Sequence, residues 1–345
     1  MNVRRSRPGR LSSSSLYGFL IALTFSGPAH ADAPGPTDYE STITRIELPE
    51  KSALPDGVDI SVEGHDAFLR VLVRKGTTVD ISGYEDEPYL RIDANCQVFE
   101  NQRSMSTWYN KERFGSDVDR SLVDEQLPPD WKQVGSNCAV AWHDHRLHYM
   151  SPSPPVNAEP GDVLVIDSIP LTISGIDVTV HVESVLAKRP SRVLPIAAVA
   201  FTLVVLSLLL RVQLASLATL SAAVLAVVLG SAQYLWSAPE TGPQLTTILV
   251  PLIAIVACSW ALYSRHRTTS ISGIGAQLLG GVFLAVWAWQ RAGVLTAALL
   301  PTSLPYFIDR SGTSVVATIA VLAVFHAVVV LGRLSFSTPH HSDGA

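Results

Sequence analysis

The 345-residue chain is short of the residues that usually announce chemistry: it has three cysteines, three methionines and a charged fraction of only 16%. It has no paired-thiolate Cys-x-x-Cys signature, no nucleophile elbow and no metallohydrolase helix, so no enzyme is expected. It has no internal repeat either, which leaves the inverted-repeat architecture of secondary transporters without support. Carboxylates are scarce at one end: beyond Pro190 only Glu240, Asp309 and Asp343 are acidic, whereas 27 acidic residues face 14 basic ones between Asp32 and Pro190. A first half with a net charge of about −13 repels phosphate backbones and excludes a nucleic-acid partner. The second half is apolar enough to lift the hydrophobic share to 48% and the mean hydropathy to +0.28, too high for an ordinary soluble protein.

What is present falls into an order. Arg4, Arg5, Arg7 and Arg10 precede an apolar run from Leu16 to Phe25 and then Ala29-His30-Ala31, the layout of a secretory signal cleaved after Ala31. Nothing resembles a twin-arginine signal, and no cysteine stands ready for a lipid. Residues 32–190 then read as an exported β-domain. Short β-favouring runs at 59–62, 67–73, 78–81, 88–92, 96–99, 162–167, 170–174 and 176–185 are punctuated by glycines and prolines, which suggests an all-β, immunoglobulin-like sandwich of about eight strands. In the last run Ile176, Val178, Val180 and Val182 alternate with Asp177, Thr179, His181 and Glu183, giving one buried face. From Asn101 to Trp131 the pattern becomes polar and aperiodic, a long connection that needs a constraint or a task. Cys96 and Cys138 lie at its ends, and export would allow them to form a disulfide. Cys258, inside an apolar run, reads as a packing residue.

Residues 191–335 read as a plasma-membrane helical domain. Apolar runs at 193–210, 214–230, 245–263, 271–289 and 314–332 give five spans, with Ala292–Ile308, apolar like a span but broken by Pro301 and Pro305, either lying at the outer face or forming a sixth. Arg211, Arg265, Arg267 and Arg333 would then lie in the cytoplasm, obeying the positive-inside rule, and 336–345 would be a disordered cytoplasmic tail. Trp236, Tyr263, Trp287, Trp289 and Tyr306 fall near span ends like interfacial anchors. His326 is the one ionisable residue deep in a span, and a hydrogen bond to a neighbouring helix explains it better than a proton relay.

The densest chemistry lies in Trp142-His143-Asp144-His145-Arg146-Leu147-His148-Tyr149-Met150, which holds three of the ten histidines. On an extended strand His143 and His145 share a face and His148 does not; a turn near Arg146 would unite them. Three imidazoles with the thioether of Met150 beside them suit copper or zinc, copper being the sharper choice because soft sulfur favours its reduced form. The competing reading is a polar network in which Asp144 pairs with Arg146 and the histidines hydrogen-bond the long connection. Elsewhere Glu85, Asp86 and Glu87 between Tyr84 and Tyr89 read as a solvated turn, and Ser104, His143 and Asp144 form a catalytic set only on paper.

Gly83-Tyr84, Glu87-Pro88-Tyr89-Leu90-Arg91-Ile92, Glu100-Asn101 and the Trp-His-Asp-His-Arg stretch, ahead of several helices, resemble a family of uncharacterised bacterial cell-envelope membrane proteins. The resemblance implies an exported β-domain on a multi-pass membrane anchor, and no activity. The expected partners are membrane lipid and another envelope or membrane protein. Metal or ligand binding outside the cytoplasm is thus set against a structural or assembly role in the envelope, or a subunit of a transporter.

Overall fold

The computed structural model describes residues 33–336, apart from 116, 120, 125–126, 212–213 and 266–270. The expected signal (1–31), the tail beyond 336 and the cations at 266–267 lie outside the described residues. The first half is an antiparallel β-domain of ten strands: β1 (Tyr39–Glu47), β2 (Asp59–Glu63), β3 (Phe68–Leu72), β4 (Val79–Ser82), β5 (Pro88–Ile92), β6 (Val98–Asn101), β7 (Trp131–Gly135), β8 (Ala139–Trp142), β9 (Val163–Ile173) and β10 (Ile176–Leu186). A short helix α1 (Met105–Tyr109) lies between β6 and β7.

The strands make a seven-stranded sheet in the order β1-β10-β9-β4-β5-β6-β7 and a three-stranded sheet β2-β3-β8. This division is more lopsided than an immunoglobulin-like sandwich suggests. Val79, Ile81, Leu90, Ile92, Ile169, Leu171, Ile173, Val178, Val180 and Val182 of the large sheet share one core with Leu69, Val71, Val140 and Trp142 of the small one. The two runs expected at 162–167 and 170–174 are one strand, β9. Pro170 does not break it because the β4 ladder ends at Leu171, so the strand is open on that side where a residue without an N–H can sit.

Cys96 and Cys138 sit at disulfide distance, their Cα atoms 4.1 Å apart and 42 residues apart in sequence. The pair therefore closes the long connection at its ends. Within that connection Ser104 caps α1, and Glu87 accepts from the hydroxyls of Ser104 (2.5 Å) and Ser106 (3.0 Å). Only Glu85 and Asp86 of the acidic turn are solvated; Glu87 is buried as a helix-capping group. Ser104 is committed to Glu87 and Asp144 to Arg146, so the paper triad with His143 is not assembled.

Among the described residues, four helices are long and apolar enough to cross a membrane: α3 (Ala215–Trp236), α4 (Thr246–Arg265), α5 (Ile271–Gln290) and α6 (Tyr306–Phe336). Before them α2 (Val193–Arg211) coincides with the first expected span. Small residues let the helices approach. A β-carbon on Gly230 of α3 would strike the Thr247 carbonyl of α4, and one on Gly280 of α5 would strike Cys258, the buried free thiol. Trp287 is fully buried and donates to Thr247 O at 2.9 Å, so it is a packing residue and not an interfacial anchor. Trp289, 82% exposed, keeps the anchor's position.

Residues 291–305 form no span among the described residues, and α6 starts eight residues earlier than expected. They make a turn and a loop on which the β-domain rests. Thr37 and Leu299 exchange backbone hydrogen bonds of 3.1 and 2.9 Å, Asp38 accepts from Ala298 N at 2.8 Å, and His65 meets Leu300 O at 3.0 Å. The loop after α3 meets the same domain, Glu240 pairing with Arg70 at 3.2 Å and accepting from Asn137 at 2.9 Å. The α3–α4 and α5–α6 connections thus meet the β-domain on the same side.

Candidate metal centre

β8 delivers Trp142 into the core and then the chain turns. Asp144 caps a single 3-10 turn, His145–Leu147, by accepting from Arg146 N at 3.0 Å. The same carboxylate takes Arg146 Nε at 2.9 Å and Nη2 at 2.8 Å and the Trp142 indole N–H at 3.0 Å. Burial pushes the Asp144 carboxyl up, but the hydrogen bonds and charge of Arg146 outweigh it and hold it below the usual range. Leu147, fully buried, anchors the turn, and Ser41 donates to its carbonyl at 2.5 Å.

With Asp144 and Arg146 satisfied on one side, His143, His145 and His148 face the other. One donor atom from each imidazole lies within 4.8 Å of the others, and the residues are only 4%, 8% and 1% exposed. Met150, by contrast, is 38% exposed on the following turn, a surface position that lends no support to a ligand role.

The hydrogen bonds fix which nitrogen of each ring is free. A carbonyl only accepts, so His143 Nδ1 donates to Ala67 O (2.7 Å), His148 Nδ1 to Tyr149 O (3.0 Å) and His145 Nε2 to Glu112 O (3.0 Å). The protons are assigned from this network. Each neutral ring then keeps one lone pair: on His143 Nε2, His148 Nε2 and His145 Nδ1. The first two face each other at 3.0 Å, and the third is buried without a partner. Arg113 O, 3.4 Å from His143 Nε2, adds another acceptor and no proton.

Protonating a ring would relieve the facing lone pairs, but burial opposes it. His143 is pushed down to about 4 and His148 to about 3, in each case by desolvation first and then by repulsion from the neighbouring histidine. His145 is also lowered, by desolvation. All three are therefore neutral near pH 7, the form that binds metal. Metal–nitrogen bonds of about 2.0–2.1 Å fit a pair 3.0 Å apart, and a trigonal site would need the widest pair to close by about 1 Å. Three carbonyls already orient the rings, as the outer shell of a histidine metal site does.

The polar network that competes with a metal is here as well: Asp144 pairs with Arg146, and His143 and His145 reach the long connection. It does not account for all the nitrogens. Two neutral rings carry two N–H groups, whereas His143 and His148 have two carbonyls and their own mutual contact to satisfy. The shortage of one proton or cation remains.

Sequence reasoning missed the frame around the rings. Tyr84 Oη accepts from His145 N at 2.9 Å and donates to Asn110, and its ring carries Arg146 at 4.9 Å. Burial raises its phenol, so it stays a donor. Arg113 joins the Asp66 carboxylate and lies 3.4 Å from Thr37 Oγ1, pinning the connection over the site. Asp66 is fully buried; desolvation lifts it to about 6 against the pull of Arg113. Gly83-Tyr84 was the one visible signal, since backbone carbonyl partners leave no mark in a sequence. No family model, curated protein or solved structure matches the chain.

Proposed function

We propose that His143, His145 and His148 bind one transition-metal ion, copper or zinc, in an exported β-domain carried by a multi-pass plasma-membrane protein. The proton shortage between His143 and His148 carries this assignment, because a cation between the two bare nitrogens removes it. Support for the outward orientation comes from charge. Arg211, Arg265 and Arg333 lie at the helix ends away from the β-domain; at the near ends Arg291 and Arg310 are buried in hydrogen bonds and Arg189 pairs with Asp38, while Lys188 and Arg192 run against the rule, a small bias that signal-driven export of a large domain overrides. The resemblance to envelope proteins points the same way.

Because Thr37, Asp38 and His65 are hydrogen-bonded to residues 298–300, the full chain in detergent is the material to test. Wild-type protein should take up about one equivalent of copper or zinc in a calorimetric titration, and replacing His143 and His145 together by alanine should remove it while the protein stays folded. Absence of uptake by the wild type, with unfolding of the double variant, would leave the histidines as structural groups. A second reading, a structural or assembly protein of the envelope, draws on the β-domain's seat on the 291–305 loop and would then take precedence. Tags in the 237–245 loop and after Phe336 should report exterior and cytoplasm; the reverse result overturns the orientation alone.

A further inference from the structure

We infer that the centre is built for a monovalent ion, cuprous copper, in preference to any divalent metal; this rests on the metal reading above. The donor set is three neutral imidazoles with no carboxylate among them. The buried carboxylates Asp144 and Asp66 already have arginine partners. Asp144 is bound by Arg146 through two nitrogens, and Asp66 by Arg113 with a further bond from Thr37 at 3.1 Å. Arg113, its charge answered by Asp66, adds no anion at the rim: its guanidinium lies 5.7 Å from the Phe114 ring centre and its carbonyl lies against His143. The metal's charge is left without an anion to answer it.

Charge in a site of low dielectric costs free energy as its square, so a divalent ion costs about four times as much as a monovalent one before any ligand is counted. The walls hold the dielectric low. Phe68 stands edge-on to His143 at 6.1 Å, Phe114 to His148 at 6.1 Å and Tyr109 to His145 at 4.5 Å. Zinc with three histidines completes itself with water or hydroxide in a fourth position. Cuprous ion is stable with three donors and carries half the charge, so it needs neither the added ligand nor an anion.

The test is an anaerobic titration of the full chain in detergent with cuprous acetonitrile complex against the chelator bicinchoninate, beside a Zn2+ titration against an indicator. Cu(I) should bind more tightly than Zn2+ by about 100-fold or more, a difference of about 3 kcal/mol in affinity. A smaller or reversed gap overturns the inference while leaving a metal site; no uptake of either ion overturns both. Phe114→Glu, at a residue 41% exposed and outside the donor set, supplies an anion beside His148 and should narrow the gap by about tenfold. An unchanged gap in a variant that still binds Cu(I) would defeat the electrostatic cause.

Discussion

Two buried polar clusters in this molecule invite comparison: the histidine centre of the β-domain and the charges at the near end of the helices. In the second, Arg291 pairs with Asp309 at 2.5 Å and also donates to Gln233, Thr313 donates to Asp309 at 3.3 Å, and Arg310 donates to the carbonyls of Ala297 and Ala298 at 2.6 and 2.9 Å. Arg291 and Asp309 answer each other, so what the cluster does is hold the 291–305 loop to the ends of α3, α5 and α6 that face the β-domain. The histidine centre is the reverse case: its surrounding charges cancel in pairs, and the rings inside are left with converging lone pairs. The Arg291–Asp309 pair explains a fold, although Arg291 Nε, Asp309 Oδ2 and Arg310 Nε are buried without a hydrogen-bond partner. At the histidines it is converging lone pairs that are left over.

The largest effect that would sharpen this contrast is expected at Asp309. Asp309→Ala leaves Arg291 buried and unpaired and should cost about 3–5 kcal/mol, read as a fall in the thermal midpoint in detergent. Replacing Arg291 and Asp309 together by leucine should recover most of that loss. A double variant no better than the single would mean that the pair is not the unit.

Next comes the crosslink that closes the connection above the histidines. Cys96→Ser with Cys138→Ser should lower stability by about 3–4 kcal/mol, the chain-entropy value for a loop of this length, and thiol labelling of the denatured, unreduced wild type should find neither residue. Since Glu112 and Arg113 ride on that loop, metal affinity should fall too. Unaltered affinity would show that the cap holds its place without the bridge.

Acid should discriminate the two clusters on a scale of about 3 kcal/mol for His143 alone, from the shift of its group. Folding holds His143 and His148 neutral, with values of about 4 and 3 against an unfolded value of about 6.5. Their contribution is therefore complete above pH 6.5 and is lost as pH falls toward 4 and then 3. Asp66 runs the other way: its folded value of about 6 lies above the unfolded one, so it gains stability as pH falls from about 6 to 4. The histidines should win in metal-free protein, and His143→Gln with His148→Gln should flatten the acid limb of the denaturation curve. A limb that keeps its slope would assign the acid sensitivity elsewhere.

The smallest effect is expected at His326. It meets Gln277 at 3.3 Å, and Gln277 accepts from Ser216 at 3.0 Å, a polar contact joining α6, α5 and α3. His326→Ala should cost about 1 kcal/mol or less and leave metal binding untouched. A larger effect on binding would link the membrane histidine to the centre.

Much of this architecture was legible because it depends on periodicity. Strict alternation announced β10, the long apolar runs announced α3, α4, α5 and α6, and the turn expected near Arg146 is where the chain bends. What escaped notice lacked a period. β7 is an edge strand with three consecutive exposed residues, Lys132, Gln133 and Val134, so it shows no alternation. β8 is four residues long, too short to show one. The early start of α6 was hidden because Asp309 and Arg310, charged and yet buried, look like the end of a membrane segment. Trp287 escaped because an indole near a span end reads as an anchor unless its neighbours are known. At the histidine site the three rings were visible as residue types. The carbonyls that choose their tautomers belong to Ala67, Glu112 and Tyr149, whose side chains say nothing about the role.

The bond between Thr37 and Leu299 has a consequence for the order in which the protein is made. Strand β1 leaves the ribosome more than two hundred residues ahead of the loop that receives Thr37 and Asp38, so the β-domain must wait on the membrane surface with that edge open until α5 has inserted. Its own ten strands pair among themselves and need nothing from the helices, but its seat does. Assembly therefore ends, and does not begin, at the N-terminal side of the β-domain, and a chain stalled before residue 291 would carry a folded head docked through Glu240 but not yet through Thr37 and Asp38.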